Sequence, residues 1–108
     1  MARFPELQCY EDFLQLSRRL LELAEAGDWE AFQSQLDARQ ALSARLEAQE
    51  TLDAVVHAGL ADELRLMIAE IHVVNDRIAA VAESVRDELS TEIRQNMQAS
   101  KAINAYRS

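Results

Sequence analysis

The chain has 108 residues, enough for one domain around one core. Its 19 acidic and 11 basic side chains give a net charge of -8, with Lys101 the only lysine, a balance that excludes nucleic-acid binding through a basic face and repels anionic membranes. Two glycines, one proline and 6 % aromatic residues, against 49 % hydrophobic overall, exclude a turn-rich β fold and favour long helices.

Residues 1–6 lack the apolar core of a signal peptide. Charged residues interrupt every later apolar run well short of membrane-spanning length, so a cytoplasmic protein without membrane insertion is expected. Helix one is expected over 5–26, because Pro5 suits the first helical position and Gly27 suits a left-handed C-terminal cap. Leu7, Tyr10, Leu14 and Leu21 form one apolar row, and Phe13, Leu16, Leu20 and Leu23 form its neighbour. Together they cover about half the circumference, so this helix must touch at least two others. The lone Cys9 allows no intramolecular disulfide, fits a reducing compartment and reads as a small half-buried hydrophobe.

Asp28 is a suitable N-cap for helix two, expected over 29–49. So tight a link makes helices one and two antiparallel neighbours or a kinked pair. The stripe of helix two (Trp29, Phe32, Leu36, Leu42, Leu46) is thin, which marks it as the more weakly held. Residues 50–59 show no clear period and are expected to be a loop or a short helical turn, broken at Gly59.

Helix three, over 60–94, is the strongest periodic signal. Leu64, Met67, Ile71, Val74, Ile78, Val81 and Val85 fill consecutive heptad-type positions. Val85, Leu89 and Ile93 then carry the stripe sideways, as a straight helix does and a long supercoil does not. A short helix four over 96–106 would gather Met97, Ile103 and Tyr106 on one face. The expected fold is all-α, one domain over 1–108: an antiparallel bundle of three main helices with a short, loosely docked C-terminal helix.

Catalytic chemistry finds little footing. There is no Gly-rich phosphate loop, no convincing Ser/His/Asp or Cys/His set, and no Glu-x-x-His of the kind that builds metal sites in bundles. His57, four residues after Asp53, and His72, four before Asp76, read as surface or rim histidines. No enzyme, metal or cofactor is expected; gripping other proteins is. Leu66, Val73 and Ala80 recur every seven residues on helix three, opposite the main stripe and flanked by charged residues. This back seam is expected to pack against another helix of the chain, with a groove for an amphipathic partner helix as the alternative. Asn75 interrupts the main stripe, where it either fixes register or partner choice or is tolerated at a bundle end. Ile103 and Tyr106 complete the candidate contacts, since tyrosine joins an apolar body to a polar tip. The same stripes support a second reading, a dimeric coiled-coil scaffold or adaptor, so monomer and homodimer both stay open.

Three segments carry a resemblance. Leu20-Leu21-Glu22-Leu23-Ala24 runs through Gly27 and Trp29 into helix two. Asn75 follows, then Asp87-Glu88-Leu89-Ser90, then Ser100-Lys101-Ala102-Ile103-Asn104-Ala105-Tyr106. In order and spacing, from Leu7 to Tyr106, the chain resembles the FliT family of flagellar type III export chaperones. The resemblance implies a cytoplasmic protein that binds the C-terminal helical part of the filament-cap protein, keeps it monomeric and delivers it to the export ATPase and export gate. It also implies, for some bacteria, restraint of the master transcriptional activator of flagellar genes. The last helix would act as a movable cover, and Tyr106 would correspond to a contact with the export machinery.

Overall fold

The computed structural model describes residues 4–107, with side chains described through Gln98. A 3-10 turn, Pro5–Leu7, leads into α1 (Gln8–Ala26), followed by α2 (Trp29–Leu46), α3 (Gln49–His57) and α4 (Ala61–Arg107). The fold is all-α, with no strand among the described residues. The chain divides into two compact units, one ending at Ile78 and the other beginning at Ala79.

The first unit is organised by two glycine-closed helix ends. Gly27 adopts φ +74°, and the N–H groups of Gly27 and Asp28 donate back to Ala24 O and Leu23 O. Gly59, at φ +72°, repeats the pattern: its N–H donates to Val56 O, and that of Leu60 donates to Val55 O. Both are Schellman closures, in which left-handed glycine satisfies carbonyls that a helix end would leave unpaired. Asp28 then caps α2, its carboxylate accepting from the Ala31 N–H at 3.2 Å.

Cross-helix contacts fix the directions. Tyr10 donates its hydroxyl to Leu46 O at 3.2 Å, while Ser17 meets Arg39, so α1 and α2 run antiparallel. Leu7 clusters with Leu64, and Arg18 bonds Glu70, so α4 sets off in the same sense as α1. A buried apolar cluster joins Leu7, Tyr10, Val55, Leu60 and Leu64, with Phe4, Leu46, Leu52 and Met67 against it. Further along, Leu14, Ser17, Leu20, Leu23 and Ala24 of α1 and Ile71 and Ile78 of α4 are buried. No α2 residue is buried, and each member of its thin stripe is half-buried.

Two segments differ from expectation. Residues 49–57 form a nine-residue helix, where a loop or a short helical turn was expected, and α2 stops at Leu46. Fully buried Val55 and core-packed Leu52 give this short segment an inward face. The Thr51 hydroxyl donates to Arg45 O at 2.8 Å, taking up a carbonyl at the end of α2. Two apolar residues three apart are too few to register as a period, yet one turn of helix suffices to bury both.

The second difference lies past Arg94. No break separates a short helix four, because α4 continues to Arg107. The thinning apolar pattern there does not end the helix, because after Gly59 the chain holds no glycine or proline to stop it. In the second unit Val81 and Val85 are half-buried, whereas Leu89, Ile93 and Met97 are exposed.

Candidate partner-binding surface

Within the first unit, three polar side chains sit where apolar ones would be expected. Arg39 occupies a stripe position of α2, three residues past Leu36, and Ser17 and Asn75 occupy stripe positions of α1 and α4. The Arg39 guanidinium donates to Asn75 Oδ1 at 2.7 Å and to Ser17 Oγ at 3.1 Å, and lies 5.3 Å from the centroid of the Phe13 ring. Ser17, fully buried, donates its own hydroxyl to Phe13 O at 2.9 Å. No carboxylate pairs with Arg39 among the described residues. Burial lowers its pKa from the ordinary value, since desolvation penalises the charged form. Two neutral oxygens and an aromatic face hold the charge instead. The knot ties α1, α2 and α4 in one register.

Asn75 is half-buried, with its Oδ1 accepting from Arg39. The other candidates fall elsewhere. Leu66 and Val73 are 71 % and 54 % exposed, so the expected internal packing of the back seam does not occur in the first unit. The reason is the position of α4: its neighbours cover only the face that carries Leu64, Ile71 and Ile78. Ala80, in the second unit, is exposed as well. The side chains of Ile103 and Tyr106 lie outside the described residues.

Beside Leu66 a groove of about 340 Å³ opens between the start of α1 and the start of α4. Phe4, Leu7, Leu14, Leu66 and Met67 supply its apolar lining. Glu11 and Arg18 stand along the α1 wall, and Glu63 and Glu70 along the α4 wall. Arg18 Nη2 donates to Glu70 Oε2 at 2.9 Å, bridging the two walls. Glu11 accepts from Gln15 at 2.9 Å, and neither Glu11 nor Glu63 has an ion-pair partner among the described residues.

Sequence reasoning missed Arg39, Ser17 and this groove. Arg39 had a readable signal: a cation on an apolar stripe needs partners, and Asn75 and Ser17 interrupt the facing stripes. The groove had none, because it depends on how far α4 stands from α1. His57 and His72 are exposed, and no group of three or more His, Cys, Asp or Glu side chains suited to a metal occurs among the described residues. No helix among the described residues is long and apolar enough to cross a membrane.

The arrangement offers apolar side chains on an outer helix face and an apolar groove with charged walls, a surface suited to holding another helix. Neither the curated proteins nor the solved structures contain a match to the chain. The family model described as flagellar protein FliT matches residues 7–108, from the core residue Leu7 to the last residue. With nearly its whole length matched and an all-α fold of the expected kind, the chain belongs to the FliT family of flagellar export chaperones.

Proposed function

We propose that this protein binds the C-terminal helical segment of the filament-cap protein in the cytoplasm, prevents its premature assembly and delivers it to the type III export apparatus. One observation supports the reading above the rest. Leu66 and Val73 stand exposed on α4, on the side away from buried Leu64 and Ile71, where the fold itself has no use for them. Large apolar residues kept in water at helical spacing fit an amphipathic partner. The binding residues in this reading are Leu66, Val73 and Ala80, with Asn75 contributing through the register of α4. Ile103 is a further partner-binding residue, Tyr106 serves contacts with the export machinery, and restraint of the flagellar transcriptional activator belongs to the same proposal.

Calorimetry with the intact chain and the cap protein's C-terminal segment tests it. Binding at tens of micromolar or tighter is expected, and Leu66→Glu with Val73→Glu should weaken it at least about tenfold while leaving the far-ultraviolet circular dichroism unchanged. Absence of binding at tens of micromolar refutes the reading. A second reading, self-association as a dimeric adaptor, is favoured by exposed Leu89, Ile93 and Met97 on α4. A sedimentation mass that stays monomeric at all concentrations counts against it.

A further inference from the structure

Resting on the reading of this chain as a binder of partner helices, we infer that the α1–α4 groove accepts an amphipathic helix whose apolar ridge is flanked by lysine or arginine. Length supports a helical occupant. Glu11 to Arg18 on one wall and Glu63 to Glu70 on the other each span seven residues, about 10 Å at the α-helical rise. Two turns of a partner match that span, presenting apolar side chains at i, i+3 or i+4, and i+7 to Phe4, Leu66 and Met67, the lining residues that buried Leu7 and Leu14 leave accessible.

Charge selects the flanks. The walls carry three carboxylates and one guanidinium, and that guanidinium is already matched to Glu70. Glu11 and Glu63, on opposite walls of the groove, therefore have no ion-pair partner among the described residues. A helix bringing a cation to each wall neutralises both, whereas one bringing carboxylates adds like-charge repulsion at both. The overall charge of -8 draws a basic segment toward the groove from a distance.

The test uses the intact chain and two synthetic 18-residue helical peptides with the same leucine ridge, one flanked by arginines and one by glutamates. Fluorescence anisotropy at low salt should show the arginine peptide binding at least about tenfold more tightly, with the gap narrowing at high salt. Glu11→Gln combined with Glu63→Gln should weaken the arginine peptide about three- to tenfold, as loss of two exposed pairs would. Leu66→Arg, a change at an exposed wall position, should weaken it too. Equal binding of the two peptides, or a double variant that leaves both affinities unchanged, overturns the inference. A cap segment that fails to bind while the arginine peptide binds with the expected dependence on Glu11 and Glu63 refutes the cap-protein reading and supports this one. The reverse pattern refutes this one alone.

Discussion

Removing Asn75 and Arg39 separately and together measures what the polar knot contributes. Asn75→Ala deletes the oxygen that accepts from Arg39 at 2.7 Å, leaving the guanidinium with Ser17 Oγ and the Phe13 ring. Arg39→Met removes the charge but keeps an apolar stem of similar length on that ring, and Ser17 retains its bond to Phe13 O. A hydrogen bond to a charged group contributes about 1.5–3 kcal/mol when well sheltered. Arg39 and Asn75 are both half-buried, so solvent screening places the coupling nearer about 1–1.5 kcal/mol. Urea unfolding followed at 222 nm gives the four stabilities, and a steady slope across the variants shows that the unfolded ensemble is unchanged. In thermal melts each kcal/mol corresponds to about 4–8 °C for a domain of this class. The double variant should lose less than the sum of the singles by the coupling energy. A coupling within about 0.3 kcal/mol of zero would mean that the two residues act independently, and the claim that they lock the register of α4 would be wrong.

Tyr10 makes the protein sensitive to alkali. Burial first, and the adjacent Cys9 second, raise its pKa above the ordinary 10.0, so the folded state favours the neutral phenol. This stabilisation is complete below about pH 10 and is lost as pH rises through the folded value; urea midpoints should fall over that interval in the natural chain and show a shallower fall in Tyr10→Phe. Gly59→Ala meets no atom within 4 Å but must hold φ +72°, so it should cost about 1 kcal/mol through backbone strain alone, and a neutral result would show that the α3–α4 corner relaxes. Hydrogen exchange should show strong protection at Leu20 and Val55, both fully buried, and weak protection across 86–98, where no side chain is even half-buried. Protection over 86–98 that grows with protein concentration would instead reveal self-association through Leu89, Ile93 and Met97.

What could be read from the sequence was whatever depends on neighbours along one helix. The Gly27–Asp28 junction was legible because cap chemistry is local: a left-handed glycine and a carboxylate three residues before an orphan N–H mean the same thing in any fold. The main stripe of α4 was legible as far as Val85 because every member from Leu64 onward is at least half-buried. Beyond Val85 the same pattern misled in two ways. It carried the apolar stripe on to Leu89 and Ile93, which are exposed, and placed a helix boundary where the backbone simply continues. Apolar periodicity reports that a helix face exists, and only tertiary contact decides whether that face is covered.

The back seam shows why such a mismatch bears on function. Leu66 and Val73 repeat with the regularity of a packed row, yet the fold leaves them in water. Each forgoes most of the ~1.5–3 kcal/mol that burial of a large apolar side chain would give, in a domain whose whole stability is of the order of 5–15 kcal/mol. A polar replacement at either position would cost the bundle little, whereas buried Leu64 or Ile71 has no such latitude. Side chains that folding does not require, set at the spacing of a helix interface beside the Glu63 and Glu70 wall, are where a chaperone's selectivity can reside without loss of its own stability.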